Sequence, residues 1–416
     1  MALKKGGNVT SDRAMNGHAM NGRQTSLGRR FPRFDNPFVL MYIFETFSTK
    51  NIFQICINAS PNESNMKAFN ELTYHEKVGR FRKLARVALD AYGLIEAHFK
   101  LVRVAGNVVF RVSLPNPARI VTANEPYEDG QYLLRIHDLS EQLTDAIEVE
   151  MEWLAAICSD TELPVPKPIP NMVGSFVTRC SIPGIPGERD CTLLRWLKGR
   201  HVTRSIRPCH FLAQGRAMAQ LHNHAAIWKP PKSPGKRRFD YDGLFKNDAG
   251  AGFPNNAVWP LLPNRCLQPY EVIANKTKRV MNDWGNNPEV YGLIHGDCGV
   301  DANVLFWKGN AHIIDFDGSG FGYYMFDLAL ALEHCWDEEA YPLYLDALLK
   351  GYTEFRTVPD EQLKHLNLFR SAFYVYMGLW TIAMDQTYPN SPHKADRHKK
   401  WLEYGLRFIR RYLDGH

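Results

Sequence analysis

The sequence predicts an α+β fold, with a small antiparallel-sheet lobe followed by a larger, mainly helical lobe. Three observations carry this. Strand-period segments joined by tight turns cluster between about Leu101 and His137. A Pro-rich stretch, Leu163 to Pro170, then holds the chain extended. Beyond Leu194 the apolar pattern is mostly helical. With 416 residues, 45% apolar and 23% charged, the chain has the balance of a globular protein of two or three domains.

Taken in order, the expected domains are a tail over 1–34, an extension with a helix over 35–98, a sheet lobe over 99–194 and a helical lobe over 195–416. The tail carries Lys4, Lys5, Arg13, Arg23, Arg29, Arg30 and Arg33 against Asp12, which accounts for the whole net charge of +6. It has almost nothing to bury and reads as a disordered leader. The rest is neutral, so no nucleic-acid partner is expected. No apolar run is long enough for a membrane span. The eight cysteines are scattered without a Cys-x-x-Cys pair and read as reduced thiols of a cytoplasmic protein.

Tyr74 to Tyr92 has Val78, Phe81, Leu84, Val87 and Leu89 at helical spacing. Leu101 to Ala105 and Val108 to Val112 flank Gly106-Asn107 as a hairpin, and Tyr132 to His137 forms a third strand after Asp129-Gly130. A helix follows over Thr144 to Cys158. Further helices are expected at Phe211 to His222, Pro342 to Tyr352 and Leu363 to Met384, with one β-hairpin over residues 303–315 between them.

That hairpin carries the most informative residues. If it is centred on Gly309, Asn303 lies directly opposite Asp315, with Cβ atoms ~5 Å apart. An amide oxygen and a carboxylate at that separation can share a hard cation such as Mg²⁺, and Asp317 adds a further oxygen. Asp297 lies in the loop entering the same end. A loop carboxylate beside an Asn/Asp metal clamp is what phosphoryl transfer to an alcohol requires. In the helix 144–158, Glu150 sits among Ile147, Trp153, Leu154 and Ile157 at i−3, i+3, i+4 and i+7. A carboxylate on an apolar face needs a cation, and Arg135 on the preceding strand is the obvious one.

Taken together, His295-Gly296-Asp297, Asn303, Ile314-Asp315-Phe316-Asp317 and Asp327-Leu328-Ala329 resemble the aminoglycoside phosphotransferase and choline kinase-like family. Supporting segments are Tyr132 to Ile136, Glu150 to Leu154, Leu163 to Pro166 and Ala219 to His222. The resemblance implies a bilobal protein-kinase-like fold and an ATP- and Mg²⁺-dependent phosphotransferase acting on a small-molecule hydroxyl. It implies Asp297 as catalytic base and Asn303, Asp315 and Asp317 at the metal. Arg135 and Glu150 would orient ATP, and Arg195, Trp196 and Leu197 would form the hinge beside adenine. Asp327 would brace the loop, and His222 reads as structural.

Three departures matter. Asn303 comes six positions after Asp297 rather than five, so Val300 reads as an insertion and the loop must bulge. The strand cation is Arg rather than Lys. Only Gly106 stands where protein kinases carry three glycines, so phosphate cover must come from the backbone around Ala105 to Val108, with Gly106 and Asn107 at its centre. In this fold the acceptor lies against the helical lobe, where Trp336, Asp337, Glu338, Trp380 and Asp385 offer acids beside aromatics. Such a surface suits an amine-bearing alcohol. A protein Ser/Thr kinase is disfavoured, because only eleven residues separate Asp315 from Asp327 and no Ala-Pro-Glu signal follows. A non-catalytic nucleotide-binding regulator is the third alternative, motivated by Val300.

Overall fold

The structure, a computed structural model, describes residues 67–115, 130–138, 144–203, 205–230, 237–246, 255–387 and 393–415, together with 121–122, 125–126, 389 and 391. The expected basic tail lies outside them. Helix α1 (Tyr74–Ala91) opens on a capping box: the Thr73 side chain accepts from Glu76 N, and the Glu76 carboxylate accepts from Thr73 N. Val78, Phe81, Leu84 and Leu89 are buried as their spacing requires, whereas Val87 is turned outward.

Strands β1 (His98–Ala105), β2 (Asn107–Ser113) and β3 (Gln131–Ile136) form an antiparallel meander, with Gly106 alone making the first turn. Helix α2 (Thr144–Asp160) follows, then β4 (Pro168–Ile169), β5 (Val177–Cys180) and β6 (Arg189–Arg195). The sheet order is β1-β2-β3-β6-β4, with β5 also paired to β6. Strands β5 and β6 were not expected from the sequence, because Arg189-Asp190-Cys191-Thr192 shows no clean alternation. Position in the sheet overrides that weak local signal.

The larger body contains α3 (Pro208–Ile227), α4 (Asn264–Trp284), α5 (Tyr324–Ala331), α6 (Tyr341–Thr353) and α7 (Leu366–Thr387). A π-helical segment, His398–Tyr404, leads into α8 (Gly405–Leu413). A second small sheet joins β7 (Arg237–Phe239), β8 (Tyr291–Ile294) and β11 (Gly320–Tyr323), so the hairpin is not the only β-structure here. Two apolar cores result. One joins α1 to the sheet; the other gathers the helices of the body and, with them, α2 through Ile147, Met151, Trp153, Leu154 and Ile157.

The hairpin strands are β9 (Val304–Trp307) and β10 (Asn310–Ile313), and their register corrects the expected one by a residue. Val304 pairs with Ile313 and Trp307 with Asn310, so the turn is the two residues Lys308-Gly309, both at positive φ (48° and 83°). A two-residue turn of this kind matches strand twist better than the three-residue turn assumed. Asn303 therefore faces Ile314, whose N–H donates to the Asn303 carbonyl (2.9 Å). Asp315 comes one residue later and adopts a left-handed conformation, φ 66°.

Candidate active site

Loop 295–303 is held from below by Asp327. Its two carboxylate oxygens accept from His295 N and Gly296 N, both at 2.8 Å, and His222 Nε2 lies 3.2 Å from Oδ2. Asp327 and His222 are fully buried, and His222 Nδ1 faces the Tyr352 hydroxyl at 2.8 Å. Burial drives the His222 pKa down, so the ring is neutral: Nε2–H donates to Asp327 and Nδ1 accepts from Tyr352. Gly296 has φ +76°, and a Cβ there would meet the Phe239 ring at 2.7 Å, so glycine is required at the bend.

The bulge expected at Val300 is a turn within the loop. Gly299 O accepts from Ala302 N (3.1 Å) and Asn303 N (3.2 Å), making a tight turn that buries Val300. Gln214 of α3 donates to Cys298 O at 2.6 Å from the other side. Asn303 Nδ2 then donates to Asp297 Oδ2 (2.8 Å) and to Asp297 O (2.9 Å). With its N–H groups spent on Asp297, the Asn303 amide has its oxygen left for another partner.

Arg135 joins the sheet to α2 and to Asp315. Its Nη1 donates to Glu150 Oε1 at 2.8 Å and its Nη2 to Asp315 Oδ1 at 3.1 Å. Arg135 and Glu150 are almost wholly buried, so neither charge is tolerable without the other. From the β1–β2 hairpin, Asn107 donates to Asp317 Oδ2 at 2.9 Å and Arg103 Nη2 lies 3.6 Å from Asp315 Oδ2. Asp297, Asn303, Asp315, Asp317, Arg135, Glu150 and Asn107 thus form one connected site.

The residues expected at the hinge begin at the end of β6. The amides of Arg195 and Trp196 donate to Lys167 O and Gln131 O, and the Trp196 ring lies 4.6 Å from the Arg111 guanidinium. Among the acceptor candidates, Trp336 packs on Tyr404 and Phe408, and Asp337 accepts from the Tyr404 hydroxyl at 3.0 Å. Trp380 is buried within the helical core. Asp385 pairs with Arg397 (3.0 Å) and His398, fastening the start of the π-helical segment to α7. Glu338 lies in the turn after Trp336, its N–H donating to Cys335 O.

Sequence reasoning missed four charged residues here. Arg103 is one. Glu333, three residues before Trp336, is buried and lies close enough to Asp297 to raise its pKa. Asp301 and Lys400 complete the group, and the Lys400 ammonium is buried under the influence of Glu333, Asp301 and Asp297. The π-helical turn that delivers Lys400 has no sequence signature beyond an ordinary helix.

Burial, then Asp315, Asp317 and Glu333, hold the Asp297 pKa well above the carboxylate range, with Lys400 opposing. Burial and Asp315 push Asp317 up to about 7 against Arg135. Its Oδ1 is buried with no hydrogen-bond partner among the described residues. Crowded acids with an orphaned oxygen and a free amide oxygen suit a hard divalent cation. Among the described residues no three His, Cys, Asp or Glu side chains form a metal cage of their own.

One stability prediction follows. With its folded pKa raised, Asp317 destabilises the protein increasingly as pH rises from ~4 to 7, and the cost is complete by pH 8. Asp317→Asn should therefore melt higher than wild type at pH 8, by up to ~4 kcal/mol in stability at 1.36 kcal/mol per pKa unit. The difference should shrink towards zero near pH 4. Melts across that range without divalent metal check it, and a pH-independent difference would refute it.

The phosphotransferase enzyme family (APH) matches residues 121–362, more than half of the chain. An uncharacterized protein of Deinococcus radiodurans is 23% identical over 343 residues, covering 80% of this chain and 90% of that protein. A homoserine kinase of Parvibaculum lavamentivorans is 26% identical over 213 residues, 50% of this chain and 60% of the kinase. Among solved structures, a microcompartment-associated aminopropanol kinase superposes with TM-score 0.63 at 22% identity, covering 80% of this chain and 98% of that one. Amicoumacin kinase in complex with AMP-PNP and Ca²⁺ gives 0.60 at 17%, covering 82% and 96%. The fold is protein-kinase-like, as the sequence implied. Among the described residues no helix is long and apolar enough to cross a membrane.

Proposed function

Because the chain belongs to the phosphotransferase enzyme family, we propose that it moves the γ-phosphoryl group of ATP to a hydroxyl of a small, amine-bearing molecule, with Mg²⁺. One observation carries this: Asp297 is buried and held by Asn303, while Asp315 and Asp317 stand at the same site under Arg135. Asn303, Asp315 and Asp317 would hold the cation, which neutralises charge on the phosphates. Asp297 accepts the hydroxyl proton, its carboxylate held in place by Asn303 Nδ2 at 2.8 Å. Arg135, locked by Glu150, directs its guanidinium at the phosphate site. Gly106 and Asn107 close over it from the β1–β2 turn.

The acceptor class rests on charge. Glu333 and Asp301 join Asp297 around one lysine, so a cationic group is favoured beside the base. The homoserine kinase relative is consistent with this, since homoserine carries an amine near its hydroxyl. A peptide acceptor is disfavoured by the eleven residues between Asp315 and Asp327.

A phosphate-transfer assay across amino alcohols, amino sugars and matched deaminated alcohols tests the reading. An amine-bearing alcohol should be the better acceptor. Glu333→Gln should raise its KM about tenfold, the loss of one charge-assisted contact, and leave a neutral acceptor unaffected. Equal turnover of amine and deaminated acceptors, or phosphorylation of a peptide, would overturn it.

A further inference from the structure

The β1–β2 hairpin brings a second guanidinium to the phosphate site. Leu101 pairs with Phe110 but Arg103 pairs with Val109, so β1 carries one unmatched residue between them. A bulge of this kind re-aims a side chain. Here the Arg103 side chain is largely buried and its Nη2 lies 3.6 Å from Asp315 Oδ2. That separation is long for a charge-assisted hydrogen bond. The Arg103 Nε is buried without a hydrogen-bond partner among the described residues. The guanidinium is thus brought to the site but incompletely satisfied there. Asp315, which the proposed reaction needs at the cation, takes Arg135 on its other oxygen at 3.1 Å. One fold-derived contact of each Asp315 oxygen is therefore with an arginine.

We propose that Arg103 is a nucleotide-positioning residue that gives up Asp315 to the cation and forks onto the terminal phosphate oxygens of ATP. This rests on the kinase reading above. Arginine suits the exchange because its planar fork matches carboxylate and phosphate alike and never loses its charge. Two consequences follow. Asp315 should take a divalent cation poorly unless nucleotide arrives to draw Arg103 away. Removal of Arg103 should then strengthen metal binding in the absence of nucleotide while weakening ATP binding.

The test uses the full chain with Mn²⁺ as probe, read by electron paramagnetic resonance without nucleotide, and a fluorescent ATP analogue read by titration. Arg103→Met should tighten nucleotide-free Mn²⁺ binding about tenfold and weaken ATP tenfold or more. Arg103→Lys should shift both in the same directions by less. Opposite-sign shifts support the proposal; no shift, or a shift in only one of the two, overturns it. Should Arg103→Met lose its cooperative melt, Arg103→Lys decides alone, and unchanged affinities there are a refutation. A wild-type protein that binds neither Mn²⁺ nor ATP would instead bring down the kinase reading together with this one.

Discussion

Asp297→Asn should lower kcat by about 10²–10⁴-fold, the range of a positioned general base, and leave ATP affinity within about threefold. The substitution is close to isosteric. Its amide oxygen can still accept from Asn303 Nδ2, which holds the wild-type carboxylate at 2.8 Å. Loop geometry therefore survives while the proton acceptor is gone. Single-turnover transfer and analogue binding separate the two effects. A variant retaining more than a tenth of the wild-type rate would show that Asp297 is not the base.

Asp327→Asn should cost about 3–5 kcal/mol of stability, because one partner is removed from a buried charged network. The carboxylate accepts from two backbone N–H groups at 2.8 Å and faces His222 Nε2 at 3.2 Å. An amide has one acceptor oxygen, and its NH₂ would meet a donor. Burial works to raise the Asp327 pKa, but the hydrogen bonds from His222 and from the backbone N–H of Gly296 leave it lowered. A carboxylate with a depressed folded pKa contributes stability above its unfolded value of ~3.9 and loses it as pH falls through the folded value. The gap between wild type and variant should accordingly be full at pH 7 and close only in strong acid. Urea midpoints at both conditions check this. A variant as stable as wild type at pH 7 would remove Asp327 from its bracing role.

The lobes were legible because their signals are local. Helical spacing gave α1, α2 and α7, and turn residues gave the two hairpins. Glu150 was legible for a different reason: a carboxylate among Ile147, Trp153 and Ile157 demands a cation, and Arg135 answers it at 2.8 Å. What the sequence hid depends on non-local pairing. β6 sits between β3 and β4 and takes its strand character from those neighbours. The turn at Lys308-Gly309 shifted the hairpin register by one, yet Asn303 and Asp315 still belong to one site, because the left-handed Asp315 leaves the ladder. Arg103 needed a bulge, and Glu333 and Lys400 needed the packing of α8 and the π-helical turn, none of which has a readable pattern.

The helix bearing Glu150 is anchored to the helical body. Trp153 stands edge-on to Phe316, 5.6 Å between ring centres, and its Nε1 donates to His224 at 3.2 Å. Arg135 belongs to the sheet. Their ion pair therefore rivets two separately packed halves, and swinging α2 outwards would have to unpick the Trp153 contacts as well. The pair is thus made within the fold itself, so Arg135 has its partner without any movement of α2.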